Sequence, residues 1–235
     1  MKVVGITDIG LVRKRNEDSY LIDTDRNLFL VCDGMGGHHG GDIASRLATE
    51  TINKELVFHD IQDLPAALGK AVQTANRIIW ETGQTDAQLN EMGTTVTAAV
   101  MLDEQLLIAH VGDSSLFIFR ADEIIKPTCE HTLAEHMRKD GMIDKDDERY
   151  KSFNHVLTRA LGVDKSVEID IHQIKLIPDD WILLCTDGLS NLVKPQEIRD
   201  LLKDKNEPQE ASQQLLKLAL ARGGYDNITM ILIHL

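Results

Sequence analysis

Residues 95–120 read TVTAAVMLDEQLLIAHVGDSSLFIFR. The stretch holds three apolar runs, 95–102, 106–111 and 115–120, rich in Val, Ile, Leu and Thr and separated by no more than a few residues. Links this short leave no space for the crossover that parallel strands need, so the spacing predicts consecutive antiparallel hairpins and not a βαβ alternation.

Working outward, short apolar runs at 3–7, 20–23, 28–32, 168–177, 181–185 and 228–234 are bounded by Gly, Asp or Asn and read as further strands. Helical periodicity appears at 41–57 (Ile43, Leu47, Ile52, Leu56), 64–82 (Leu68, Ala71, Val72, Ala75, Ile78, Ile79), 195–203 and 208–222 (Ala211, Leu215, Leu218, Ala219). Antiparallel sheets covered by helices are the α+β pattern. Without an internal repeat or a Pro- or Ser-rich linker, residues 1–235 are expected to form one domain. Residues 129–154, CEHTLAEHMRKDGMIDKDDERYKSFN, are densely charged, and 140–152 carry little apolar content. They read either as a solvated helix plus loop or as a mobile flap beside a site.

Of the 235 residues, 38 are acidic and 25 basic, a net charge of −13 that disfavours nucleic acid and anionic lipid as partners. Aromatics are only 4% of the chain, so Leu, Ile, Val and Ala must build the core. Three widely spaced cysteines, Cys32, Cys129 and Cys185, lack the spacing of a zinc site or a disulfide framework and fit a reducing cytoplasm. Neither a signal peptide nor an apolar stretch of membrane-spanning length is evident. A cytoplasmic monomer is expected.

Several aspartates stand at strand ends. Asp33 follows 28–32, Asp113 follows 107–112, Asp187 follows 181–186, Asp226 opens the last strand, and Asp18 follows Glu17 just before 20–22. Each alone reads as a turn former. As a set, with Asp33 and Asp187 beside strongly apolar central strands, they can converge at one end of the sheets. Carboxylates so gathered repel unless protons or cations lie between them, and an all-oxygen donor set suits Mg²⁺ or Mn²⁺. A pair of such ions is a general device for phosphoryl hydrolysis. The stretch Gly34-Met35-Gly36-Gly37-His38-His39-Gly40-Gly41 does not complete a dinucleotide loop, because His39 stands at the third glycine position, and no P-loop exists. Arg13, in the triplet Arg13-Lys14-Arg15, is either a surface residue or a bidentate phosphate clamp.

Taken in order, Thr7-Asp8-Ile9-Gly10-Leu11-Val12-Arg13 with Asn16-Glu17-Asp18, Cys32-Asp33-Gly34-Met35-Gly36-Gly37-His38, Gly93-Thr94-Thr95, His110-Val111-Gly112-Asp113-Ser114, Leu157-Thr158-Arg159-Ala160-Leu161-Gly162, Cys185-Thr186-Asp187-Gly188-Leu189 and Gly224-Tyr225-Asp226-Asn227-Ile228-Thr229 resemble the bacterial branch of the metal-dependent, type-2C (PPM) protein phosphatases. The resemblance covers the chain from residue 5 to 234. It implies an α-β-β-α sandwich of two antiparallel sheets flanked by helix pairs, with a flap at about 129–154. It further implies that Asp33 bridges two Mn²⁺ or Mg²⁺ ions, that the Gly34 carbonyl binds one of them, and that Asp187 and Asp226 complete the second ion's ligands. Glu17 and Asp18 match the family's supporting acidic pair, Asp113 a residue that helps bind a third metal, and Arg13 the phosphate-binding arginine.

The implied reaction is direct hydrolysis of phosphoserine or phosphothreonine by a hydroxide bridging the metals, opposing a bacterial Ser/Thr kinase that is itself a candidate substrate. Cys32 and Cys185 then read as structural thiols. Met35 stands where animal members carry a histidine, and His38 is a candidate proton donor or substrate contact, with loop packing as its alternative. Glu130-His131-Thr132 departs from the usual Asp-His-Ser of the flap. Alternatives on the same fold are a pseudophosphatase and a phosphatase acting in a partner-switching pathway.

Overall fold

The computed structural model describes residues 1–36, 40–203 and 207–235. Its strands are β1 (Lys2–Asp8), β2 (Asp18–Asp23), β3 (Leu28–Met35), β4 (Gly93–Thr94), β5 (Val96–Leu102), β6 (Gln105–Val111), β7 (Ser115–Arg120), β8 (Glu123–Ile125), β9 (Asp170–Lys175), β10 (Trp181–Cys185) and β11 (Ile228–His234). Its helices are α1 (Gly40–Glu55), α2 (Leu64–Thr85), α3 (Leu133–Lys139), α4 (Glu148–Phe153), α5 (Asp187–Ser190), α6 (Pro195–Lys203) and α7 (Pro208–Ala221). One sheet runs β1-β11-β10-β7-β8 and the other β2-β3-β5-β6-β9, with the short β4 paired to β3; every pairing is antiparallel.

The period-two alternation of side chains assigns each strand residue to a layer. In β3, Leu28, Leu30 and Cys32 pack with Ala44, Ala48 and Ile52 of α1 and Leu68, Val72 and Ala75 of α2. The intervening Phe29 and Val31 meet Leu116 and Ile118 of β7, Ile182 and Leu184 of β10, and Ile231 and Ile233 of β11 in the layer between the sheets. On the other outer face, Phe117, Trp181, Leu183, Cys185, Met230 and Leu232 pack against Ile198 and Leu202 of α6 and Ala211, Leu215 and Ala219 of α7. Helices therefore cover both outer faces of a two-sheet sandwich, the expected α-β-β-α arrangement. Cys32 and Cys185 are buried in the two helix-facing cores, and burial pushes the Cys185 thiol up to about 12.

One connection departs from the hairpin expectation. β5 and β6 do form a hairpin, but β6 and β7 lie in different sheets, so Gly112-Asp113-Ser114 carries the chain across the sandwich. Three extended residues span roughly 10 Å, which is also about the spacing of packed sheets, so so short a link serves an inter-sheet crossing as well as a hairpin. The bend sits at Gly112, where φ is 108° and a Cβ would come within 2.5 Å of the Thr95 side chain. Asp33 lies within β3 instead of ending it, whereas Asp226 precedes β11 by two residues. The charged stretch 129–154 holds α3 and α4 and is hydrogen-bonded to the segment that follows it, Leu133 N donating to Val156 O and Thr158 N to His131 O, both at 2.8 Å.

Candidate active site

At one mouth of the inter-sheet layer the apolar alternation gives way to acid. Asp33 continues the face of Phe29 and Val31, and Asp18 of β2 is its direct cross-strand partner. Like charges placed opposite one another on a sheet are destabilising. Asp18 is buried, with Oδ2 accepting from Thr186 Oγ1 at 2.9 Å and Oδ1 left without a partner. Asp187, the first residue of α5, likewise has Oδ2 held by Asn191 Nδ2 at 3.0 Å while its Oδ1 is buried and unpartnered.

Arg13, Glu17, Asp33, Gly34, Asp113, Asp187 and Asp226 all line one open cavity of about 650 Å³. The seven thus come together from the β1–β2 loop, β3, the β6–β7 crossing, α5 and the turn before β11; Asp18 sits beside Asp33 and is not among the lining residues. His38 lies outside the described residues. The rest of the lining comes from Met35, Gly36, Thr95 and residues between His155 and Glu168, including Thr158, Arg159 and Val163, and not, among the described residues, from 129–154 itself.

Electrostatics follow from this crowding. Burial raises Asp33 well above the ordinary carboxylate range, and the charges of Asp18, Asp187, Asp113 and Asp226 raise it further. Asp18 is pushed up to about 7 by burial, against the hydrogen bonds from Thr229 and Thr186. Asp113 reaches about 8 through burial and then the charge of Asp187. Asp187 is raised by burial and then by Asp226, and Glu17 by burial and then by Asp42. Arg13 answers part of this charge, its Nη2 lying 2.7 Å from Asp226 Oδ2 with the side chain half exposed to the pocket.

The donor set is oxygen throughout, two of its oxygens are orphaned, and the carboxylates repel one another; all three properties fit hard divalent cations. Among the described residues, no three acidic, His or Cys side chains are close enough to hold an ion as they stand. Asp226 is engaged by Arg13 and Asp187 by Asn191.

The supporting groups carried no role in the sequence reading. Thr95 exchanges backbone and side-chain bonds with Asp33: Asp33 N donates to Thr95 Oγ1, and Thr95 N to Asp33 O, both at 2.9 Å. Asn227 is buried and clasps the β1–β2 loop, its Nδ2 donating to Ile9 O (3.0 Å) and Arg15 O (2.8 Å) and its Oδ1 accepting from Glu17 N (2.8 Å). Gly34 must approach so closely that a Cβ would lie 2.1 Å from Gly41 O. A Thr just after Gly93-Thr94, or an Asn beside an Asp, reads as turn chemistry in a sequence, and only the contacts show the role.

Comparison with known proteins joins this geometry to a family. Residues 8–228 match the family described as Protein phosphatase 2C. The chain belongs to the protein phosphatase 2C family. It is 34% identical over 235 residues to the serine/threonine phosphatase stp of Listeria innocua, covering 97% of this chain and 93% of that protein. The structure of the Mycobacterium tuberculosis serine/threonine phosphatase PstP/Ppp superposes with a TM-score of 0.91 at 32% identity, covering 98% of this chain and 97% of that one. A structure of the PstP catalytic domain in complex with two manganese ions gives a TM-score of 0.88 at 32% identity, with 98% and 96% covered. As a protein phosphatase 2C member the chain is a metal-dependent phosphoprotein hydrolase, and the acidic cavity lies within the matched region.

Proposed function

We propose that this phosphatase 2C chain removes phosphate from phosphoserine and phosphothreonine in proteins, with Asp33, Asp187 and Asp226, the Gly34 carbonyl and, at a third position, Asp113 holding Mn²⁺ or Mg²⁺. The observation that carries the reading is the Asp18–Asp33 cross-strand pair beside Asp187, with Asp18 Oδ1 and Asp187 Oδ1 both buried without partners, at an open acidic cavity that Arg13 and Arg159 also line. Bound there, divalent ions supply a water of lowered pKa and positive charge toward the phosphoryl oxygens.

The protein's own groups do the rest. Arg13, released from Asp226, presents its guanidinium fork to the phosphoryl oxygens. Glu17 and Asp18 lie behind and beside the ligands and fix them, Asp18 through its bond from Thr186. Thr95 locks the backbone of Asp33 on both sides, so the carboxylate does not swing when a phosphate enters. Cys32 and Cys185 stay protonated in the cores and contribute no nucleophile. The substrates are phosphoproteins, a Ser/Thr kinase among them. Three unpaired thiols fit a cytoplasmic location, and no helix among the described residues is long and apolar enough to cross a membrane.

The test is hydrolysis of p-nitrophenyl phosphate and of a phosphothreonine peptide with Mn²⁺. Activity is expected, with loss in EDTA and a fall of at least about a thousandfold in Asp33→Asn and Asp187→Asn. A folded protein that binds Mn²⁺ yet turns over neither substrate would refute the proposal.

A further inference from the structure

Beside Arg13 and Asp226, which line the cavity, the chain carries exposed apolar side chains. Five large apolar side chains among the described residues are more than 60% exposed, and three of them, Leu11 (67%), Val12 (61%) and Tyr225 (64%), adjoin the Arg13–Asp226 pair in the chain. The loop that carries Leu11 and Val12 also meets the Gly223–Tyr225 turn in space. Leu11 N donates to Gly224 O at 2.8 Å, and a Cβ on Gly224 would stand 3.2 Å from Leu11 Cγ. The Tyr225 ring lies over the next glycine, close enough that a Cβ on Gly223 would meet it at 2.2 Å.

This shelf is not a frayed loop end. Asn227 clasps its backbone at Ile9 and Arg15, Gly10 N donates to Asp8 Oδ1 at 2.8 Å, and Asn16 Nδ2 donates to Thr7 Oγ1 at 2.7 Å. Exposed apolar side chains held on a tied backbone are prepared for contact, because little ordering entropy remains to be lost when a partner arrives.

We infer that Leu11, Val12 and Tyr225 form a docking shelf for apolar residues flanking the phosphorylated residue of a peptide substrate, and so set sequence preference around the scissile phosphate. The occupant is fixed by continuity with the phosphate site: Leu11 is two residues from Arg13, and Tyr225 is bonded to Asp226. An extended chain advances about 3.3 Å per residue, so with its phosphate at Arg13 a peptide brings residues one or two positions away over the shelf. The inference rests on the phosphatase reading above.

The test compares wild type with the Leu11→Ser/Tyr225→Ser double variant, both Mn²⁺-loaded, on p-nitrophenyl phosphate and on two phosphothreonine peptides. One peptide carries Leu or Val at the two positions on each side of the phosphothreonine, and the other carries Ser there. Wild type is expected to show a KM about fivefold lower for the apolar-flanked peptide, from partial burial of two side chains. The double variant is expected to lose that preference, with kcat within about twofold and both p-nitrophenyl phosphate and the Ser-flanked peptide little changed. Equal KM values for the two peptides in wild type overturn the shelf without any variant, as does a preference that survives the double substitution. Absence of p-nitrophenyl phosphate turnover by wild type instead overturns the phosphatase reading on which the shelf depends.

Discussion

Replacing Asp18 by Asn tests the idea that this site is built at the expense of the metal-free fold. Asp18 faces Asp33 across β2 and β3, buried, with one oxygen on Thr186 and the other unpartnered. Its carboxyl is raised from 3.8 to about 7 by burial, with the charges of Asp187 and Asp226 adding. The folded protein therefore binds a proton at Asp18 more tightly than the unfolded chain does. Metal-free stability should fall as pH rises from about 4 to about 7, and level off above that. At about 1.4 kcal/mol per pH unit the full penalty is on the order of 4 kcal/mol. A proton on either Asp18 or Asp33 relieves both, so about half of it, ~2 kcal/mol, is assigned to the substitution.

The Asn oxygen can still accept from Thr186, and its amide can donate toward Asp33 where the orphaned oxygen stood. In EDTA at pH 7.5, Asp18→Asn should therefore melt about 4–8 °C above wild type, and the two should converge near pH 4. With saturating Mn²⁺ the order should reverse, since the variant offers the cations less charge. The assay is thermal unfolding followed by circular dichroism across pH 4–8, with and without metal. A metal-free variant no more stable than wild type at pH 7.5, or a gap that does not depend on pH, would refute the reasoning.

Three further outcomes are expected. Arg13→Ala removes the phosphate clamp and frees Asp226, so KM for p-nitrophenyl phosphate should rise about tenfold or more while Mn²⁺ affinity by calorimetry is kept or improved. Asn227→Ala removes three bonds to the β1–β2 loop; denaturant unfolding should show a loss of roughly 2–4 kcal/mol, and a wild-type midpoint would contradict the clasp. Far from the site, Arg120 donates from Nε and Nη2 to the fully buried carboxylate of Asp180 at 2.9 and 2.7 Å, so Arg120→Ala should cost about 3–5 kcal/mol in chemical denaturation with kcat at 25 °C unchanged.

What could be read along the chain was local. The nine longer strands and four longer helices announced themselves because periodicity and turn residues lie within a few positions of each other, as in 28–32 or 208–222. The short pieces did not. β4 and β8 have two and three residues, too few to show an alternation, and in 129–154 a solvated helix plus loop was legible as one reading, but the dense charge gave no bounds for α3 and α4. The aspartates could be collected as oxygen donors because Asp33 and Asp187 close strongly apolar runs. That Thr95, Thr186 and Asn227 hold them could not, since these bonds join residues 62 to 212 positions apart in the chain.

By itself, then, the amino-acid order determined which segments are strands and helices, the α+β class, and the kind of ligand the acidic residues suit. Tertiary structure alone decided which sheet each strand joins, that Gly112–Ser114 crosses between sheets, that Asp18 stands opposite Asp33, that Arg13 closes on Asp226, and that residues 155–168 wall the cavity. The reason is that strands buried on both faces, such as β5, β6, β7 and β10, are apolar throughout. Their sequence says that they are covered but not by which neighbour, and that choice is made only when the whole chain packs.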